Sequence, residues 1–401
     1  MNHDIWNRNY KNNNSMIKNK KNNSINENKN VYDEYINVKR NIENYAICVV
    51  NLYMEKKVSH IKNHKELKKL MKEEKKVYHY GDIHESDYCS SPCFVTTIIN
   101  DVSFGVNKGK CFCILGPKGS GKTSLLDMIT KYTTPTDGNI YFNGINSNDC
   151  PLEKLSMSYC AQEETYWKYL NLKHQIEYEL KLRGCSSKDY KTYAQQYIQY
   201  FNLEKRSKTN MYLSDDTTKR IVKFIMTICS QTDFIVLDEP TVGMDIESKE
   251  KIWEAIQQIR KTRQNTTIII ATSSLEEARK LGDSIGILVN GHLECIGTIE
   301  EIEKYYCQRF ILKVNSKSIP EFQQNIMEKS HLFGNDYFIE DEFNSWITFN
   351  VSLQQTIGNV FEVMEHYKSS ELITEYSFSK LTLEQLYLNF AKYQVKTIKS
   401  I

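Results

Sequence analysis

Eight consecutive residues, Gly116-Pro117-Lys118-Gly119-Ser120-Gly121-Lys122-Thr123, fit G-x-x-x-x-G-K-[ST] at every fixed position. That spacing suits polyphosphate chemistry. The glycines let backbone N–H groups close around phosphate oxygens, and a helix starting at the loop adds the positive end of its dipole. Lys122 is placed to reach the β- and γ-phosphates, and the Thr123 hydroxyl to ligate Mg²⁺. A second stretch, Phe234-Ile235-Val236-Leu237, is continuously apolar, as expected of a central parallel strand, and ends in Asp238-Glu239-Pro240. Acids at the C-terminal end of such a strand, beside a phosphate loop, organise Mg²⁺ and polarise water.

These residues need a scaffold, and the flanking patterns supply one. Cys111 to Leu115 reads as a buried strand, and Ser124 to Tyr132 as a helix with Leu125, Leu126 and Ile129 on one face. Ala46 to Val50, Phe94 to Ile99, Asp101 to Val106, Asn139 to Phe142, Ile268 to Ala271 and Ile285 to Val289 read as further strands. Residues 163–209 read as mostly helical, with a break at Gly184, and Leu275 to Leu281 as a helix between strands. Strands alternating with helices around a phosphate loop predict a parallel α/β sheet.

The rest of the chain is read more briefly. Residues 1 to about 30 form an Asn/Lys-rich leader with little to bury, expected to be disordered. Lys56 to Lys76 is lysine-dense with a thin apolar face. It reads as a solvated inserted helix or loop, or as a basic amphipathic helix that touches a membrane or nucleic acid; 77–93 continue the insertion. From Arg309 the order changes to strand, helix, strand, strand, helix, strand and a closing helix from Thr382 to Tyr393, which predicts a small ferredoxin-like domain without catalytic residues.

Composition excludes some classes. A net charge of +2 over 401 residues supports no global argument for nucleic-acid or membrane binding. Eleven cysteines, with Cys89 and Cys93 the only close pair outside one strand, fit reduced thiols in a cytosolic protein. No apolar run reaches the length of a membrane span, and no secretory signal is readable.

From about Asp33 to Gln394 the chain resembles the nucleotide-binding domain of an ATP-binding cassette (ABC) transporter, and more narrowly the A subfamily of lipid transporters. Besides the two stretches above, Tyr159-Cys160-Ala161-Gln162 with Tyr166-Trp167 is similar to the Q-loop region. Thr241-Val242-Gly243-Met244-Asp245 is similar to the D-loop, and Leu275-Glu276-Glu277-Ala278 followed by Val289 to Gly297 to the segment after the switch residue. Leu381 to Lys392 resembles the helix that ends the subfamily's regulatory domain, its most specific feature.

The resemblance implies a P-loop NTPase of ABC type: a parallel sheet core, an antiparallel β subdomain and a helical subdomain over 33–308, then a regulatory domain over 309–394. It implies that Gly116, Pro117, Lys118, Gly119, Ser120, Gly121, Lys122, Thr123 and Ser124 hold ATP, with Gln162 and Ser273 at the same site. Thr123, Gln162 and Asp238 hold Mg²⁺, and Glu239 is the general base. The implied partners are transmembrane domains, which dock near 163–182, and a second nucleotide-binding domain, which Asp245 contacts. Lipid is the indirect substrate, no nucleic acid is implied, and the location is the cytoplasmic face of a membrane.

Three departures qualify those expectations. The signature Leu-Ser-Gly-Gly-Gln is replaced by Leu213-Ser214-Asp215-Asp216-Thr217, which is expected to turn two carboxylates toward a partner's polyphosphate. Like charges about 4 Å apart repel by roughly 4 kcal/mol at an effective dielectric of about 20. Ser273 stands where the family has a switch histidine, which predicts slow hydrolysis. No aromatic holds the usual adenine-stacking spacing; Tyr53, Tyr78 and Tyr80 are candidates. Two function classes follow: a weakly hydrolysing ABC ATPase that drives lipid transport, or a soluble adaptor that binds ATP with little or no turnover. Other phosphate-loop enzymes, such as kinases, do not explain the remaining motifs.

Overall fold

The computed structural model describes residues 29–58, 84–85, 94–151, 155–163, 166–316, 318–324, 332–333, 337–343, 345–370, 373–392 and 394. The leader, the insertion from 59 to 83, Tyr78, Tyr80, Cys89 and Cys93 therefore lie outside the described residues. The described part divides into two compact units, one built on 30–298 and one on 299–390.

The first unit opens with helix α1 (Lys29–Arg40). Strands β1 (Tyr45–Val58), β2 (His84–Glu85) and β3 (Phe94–Asn107) follow. β3 is one strand, not the two expected. Its interruption is a register shift against β1 near Asp101, whose φ of 51° is left-handed, so the chain bends without leaving the sheet. Next come β4 (Cys111–Leu115), α2 (Lys122–Ile129), β5 (Asp137–Phe142), β6 (Ile145–Asn146) and β7 (Met157–Cys160). Helices α3 (Leu172–Leu182), α4 (Tyr190–Tyr200) and α5 (Asp216–Ile228) make the helical part. Then come β8 (Phe234–Asp238), α6 (Ile246–Thr262), β9 (Thr267–Thr272), α7 (Leu275–Leu281), β10 (Ser284–Val289) and β11 (His292–Gly297).

Two sheets result. One runs β2-β3-β1-β5-β6 and is antiparallel; the other runs β11-β10-β4-β9-β8-β7, parallel except for β11. Every residue of β4, β8 and β9 is buried, which explains their unbroken apolar runs: both faces are covered. Phe104 stacks on Phe112 at 4.7 Å between ring centres, and Phe142 meets Phe234 edge-on at 5.5 Å, so one core joins the two sheets. Parallel strands with their carboxyl ends together put the loops after β4, β8 and β9 side by side, where such sheets bind ligands.

The second unit contains α8 (Ile299–Tyr306), β12 (Phe310–Ser316), α9 (Ile319–Phe322), β13 (Phe338–Phe343), β14 (Trp346–Val351), α10 (Ile357–Ser369), β15 (Ile373–Lys380) and α11 (Leu383–Lys392). It begins at Ile299, earlier than the change of sequence texture at Arg309. Its sheet is antiparallel in the order β13-β14-β12-β15, with Leu312, Val314, Phe349, Val360 and Met364 in its core. On α10, Val360 and Met364 are buried while Ile357 and Phe361 are exposed, so the buried face is narrower than the apolar pattern. Among the described residues no helix is long and apolar enough to cross a membrane.

Candidate functional site

The loop after β4 closes as a cradle at the N-terminus of α2. Gly121 caps the helix with φ of 103°, and a Cβ there would lie 2.8 Å from Ile99 Cδ1 and 2.9 Å from the Ile98 carbonyl oxygen. A Cβ on Gly116 would sit 2.3 Å from the Leu288 carbonyl oxygen and 2.6 Å from Ser120 Oγ. Both positions therefore require glycine, the first for its backbone angle and both for space. Lys118 and Gly119 are exposed, Pro117 and Ser124 half-buried, and Ser120 buried.

Lys122 is buried inside this loop. Its ammonium donates to the Gly116 and Pro117 carbonyl oxygens at 2.7 and 3.0 Å and pairs with Glu239 Oε1 at 3.3 Å. The other Glu239 oxygen accepts from the Ser273 backbone N–H at 3.2 Å and hydroxyl at 3.1 Å. Glu239 holds a left-handed backbone angle, φ 47°. Its N–H donates to the Ala271 carbonyl at 2.8 Å and its carbonyl accepts from Arg220 at 3.2 Å. A strained angle persists where its surroundings over-determine it, and here the strain aims the carboxylate at the loop.

Thr123 donates its hydroxyl to Asp238 Oδ2 at 2.7 Å. Asp238 is 2% exposed. Burial pushes its carboxyl above the ordinary range, against the Thr123 hydrogen bond, and the neighbouring Glu239 charge adds to the rise. Asp238 Oδ1 and Ser120 Oγ are buried without a hydrogen-bond partner. Buried orphan oxygens are costly, and two of them around one cradle fit a site built to receive a cation and phosphate oxygens. The residues present therefore fit Mg²⁺ and a polyphosphate.

The structure brings Lys122, Thr123, Asp238, Glu239 and Ser273 together from three strand ends. Gln162 lies exposed in the loop after β7, and among the described residues no hydrogen bond joins it to Thr123 or Asp238. The Lys223 ammonium donates to the carbonyls on either side of it, at Ala161 and Glu163, which pins that loop to α5. Tyr53 is half-buried on β1 with its hydroxyl engaged by Glu55 at 2.5 Å and Thr97 at 3.2 Å.

The signature segment differs from expectation. Both carboxylates are exposed, but they are held differently. Asp216, its side chain 88% exposed, sits 3.4 Å from Lys219, and Asp215 is 48% exposed. Asp215 folds back as the N-cap of α5, accepting from the Thr218 N–H at 3.1 Å and hydroxyl at 2.8 Å, and it pairs with Arg206. The carboxyl is lowered despite its partial burial, because the Thr218 hydrogen bonds and Arg206 favour the charged form. The cap forms because a helix start leaves N–H groups unpaired and a short carboxylate at that position satisfies one. The consequence is that the α5 N-terminus already has an anion. Asp245 likewise caps α6 through the Ser248 N–H at 3.1 Å.

Sequence reasoning missed Glu277. Ser274-x-x-Glu277 is a capping-box pattern, and Ser274 Oγ does accept from the Glu277 N–H at 3.3 Å. The reciprocal half is absent: Ser274 N–H donates to the Thr272 hydroxyl at 3.0 Å, and the Glu277 side chain turns inward. There it accepts from the Thr241 hydroxyl at 2.8 Å and the Trp253 ring N–H at 2.9 Å.

Residues 99–242 match the family model described as ABC transporter. Among curated proteins the chain is similar to the glucosylceramide transporter ABCA12 of Mus musculus, 26% identical over 299 residues, which is 74% of this chain and 11% of that protein. It is 28% identical over 303 residues to the cholesterol transporter ABCA5 of Rattus norvegicus, covering 73% of this chain and 18% of that protein. It is 27% identical over 334 residues to the ATP-binding cassette sub-family A member 10 of Homo sapiens, covering 80% of this chain and 21% of that protein. The chain thus spans between a tenth and about a fifth of the length of these relatives. A solved dimeric bacterial ABC transporter cassette superposes with a TM-score of 0.50 and 18% identity, over 63% of this chain and 98% of that one. At that identity the likeness concerns the fold.

Proposed function

Because this chain carries the nucleotide-binding domain of an ATP-binding cassette transporter of the A subfamily, we propose that it binds ATP with Mg²⁺, hydrolyses it slowly, and so drives lipid movement through transmembrane domains. The observation that supports this most is the cluster Lys122, Thr123, Asp238, Glu239 and Ser273, with two orphaned buried oxygens beside it.

The mechanism follows from what these side chains do. Lys122 releases Glu239 and turns its ammonium to the terminal phosphates, since a polyphosphate out-competes one carboxylate. Glu239, freed on that side, accepts a proton from the attacking water and orients it. Ser273 keeps the other Glu239 oxygen in place with two hydrogen bonds. Thr123, Asp238 and Gln162 are the residues that would hold Mg²⁺. Bound Mg²⁺ neutralises charge on the phosphate oxygens. Hydrolysis is slow because Ser273 brings no cation to the transferred phosphoryl group.

A second cassette completes the site, as the family's head-to-tail arrangement requires. The surface at 163–182 is the docking face for the transmembrane domains, with Trp167 and Tyr178 half-exposed in edge contact at 6.4 Å. Lipid as cargo rests on the relatives' printed substrates, glucosylceramide and cholesterol. The cytoplasmic face of a membrane is then its location, and the 299–390 unit its ferredoxin-like regulatory domain.

The self-capped α5 favours a second reading, an adaptor that binds ATP without useful turnover, because its N-terminus holds Asp215 where a partner's γ-phosphate is expected. Steady-state ATPase of the purified chain, with Glu239→Gln as control, separates the two. The ATPase reading expects Mg²⁺-dependent turnover above the control. Turnover equal to the control leaves the adaptor.

A further inference from the structure

Beneath the site, one buried carboxylate joins the loop that follows the base to the loop that carries Ser273. We propose that Glu277 is a positioning residue for hydrolysis: it holds the Pro240–Asp245 segment against the first turn of α7, and thereby holds Glu239 at its working angle. This rests on the reading of the chain as an ATPase.

Glu277 is 1% exposed. One of its oxygens accepts from both Thr241 Oγ1 and Trp253 Nε1, at 2.8 and 2.9 Å. The Thr272 hydroxyl also favours the charged form of the carboxyl. Burial pushes the carboxyl up, the hydrogen bonds from Thr272, Trp253 and Thr241 oppose that, and the Glu239 charge adds to the rise. An apolar side chain of the same size would fill this space without desolvating a charge. What it could not do is accept from donors on two other elements, the turn after β8 and helix α6.

The tie lies parallel to the one at the site. Above, Ser273 binds Glu239; below, Glu277 in the same capped turn binds Thr241, two residues after Glu239. The short span between them is stiff, because Pro240 fixes its own φ and Val242 N–H donates to the Glu239 carbonyl at 3.4 Å. A shift at Thr241 is therefore passed to a residue already held in a left-handed conformation. Trp253 is bonded to the same oxygen but sits on α6, remote from the base, and Lys280 covers its ring at 4.7 Å.

That difference supplies the test. Thr241→Val keeps the shape and deletes one hydroxyl; Trp253→Phe deletes the other donor to the same oxygen. Losing a hydrogen bond to a charged group at the base segment is expected to lower kcat about tenfold in Thr241→Val, with KM for ATP within about twofold. Trp253→Phe is expected to lower the melting temperature and leave kcat within about twofold. Amide hydrogen exchange at Val242 and Met244, which needs no turnover, is expected to quicken in Thr241→Val and not in Trp253→Phe. If wild type shows no turnover above Glu239→Gln, the ATPase reading fails and exchange alone decides whether Glu277 positions this segment. Equal effects of the two variants on kcat, or on exchange, overturn the proposal and leave Glu277 a stability residue.

Discussion

Replacing Lys122 by alanine isolates the largest single interaction at the site. The ammonium is 6% exposed, faces Glu239 at 11% exposure, and donates to two loop carbonyls. Removing one partner of a buried ion pair typically costs 3–5 kcal/mol, because the other charge stays buried alone. Glu239 keeps two hydrogen bonds from Ser273, so the cost here falls at or just below that range, about 2–3 kcal/mol. In a unit of this size that lowers the melting temperature by roughly 5–10 °C. The combined change Lys122→Ala with Glu239→Gln removes the stranded charge and is expected to recover most of the loss, a coupling of about 2 kcal/mol. Thermal and urea unfolding without nucleotide, on wild type, both single variants and the double, measures the cycle. Mg-ATP titration on the same four proteins separates stability from binding: the loop reading expects Lys122→Ala to abolish binding in both backgrounds. Additive melting shifts would refute the ion pair as a stored contact between loop and base. Normal ATP affinity in Lys122→Ala would refute the phosphate site itself.

Other substitutions probe separate parts of the argument. Ser273→His adds a ring that reaches further and can carry charge, so steady-state turnover is expected to rise; turnover equal to wild type or lower removes the missing histidine as the cause of slow hydrolysis. Glu277→Gln tests burial: because the Glu277 carboxyl titrates above its ordinary 4.5, its neutral form stabilises the fold fully below that value and this contribution fades as pH rises through the folded value. The urea midpoint of wild type relative to Glu277→Gln should therefore decline as pH rises above 4.5, and parallel curves would contradict it. Gly121→Ala places a Cβ against Ile99 and the Ile98 carbonyl at φ 103°, whereas Gly184→Ala at φ 84° meets nothing within 4 Å. Both suffer the backbone penalty of about 1 kcal/mol, but only Gly121→Ala should also lose ATP binding; equal behaviour would mean the cradle has slack.

Much of the fold was readable because it is written locally. The apolar runs of β4, β8 and β9 stand out since both faces of those strands are covered. Leu275–Leu281 is the helix expected between strands, and Gly184 breaks the helical part in a left-handed turn after Leu172–Leu182. β3 misled because Asn100-Asp101 has turn chemistry, yet the strand absorbs it as a bulge. The charged segment around Asp33 gave no sign of α1, since its few apolar residues, among them the buried Val38, acquire meaning only when packed.

For the site, the sequence by itself determined the phosphate cradle and the acids at the end of β8. The cradle works through the backbone of consecutive residues, so its spacing is its geometry. Only the tertiary structure decided what those residues face. Lys122 meets Glu239, and Glu239 meets Ser273, because three parallel strands end together, which no local pattern encodes. The same holds for Asp215, which looked like a repulsive charge and is a helix cap paired with Arg206. It holds as well for Glu277, a buried acceptor whose donors come from the turn after β8 and from α6. A carboxylate's role depends on which donors reach it and how little water does, and both are set by chain segments far apart in sequence.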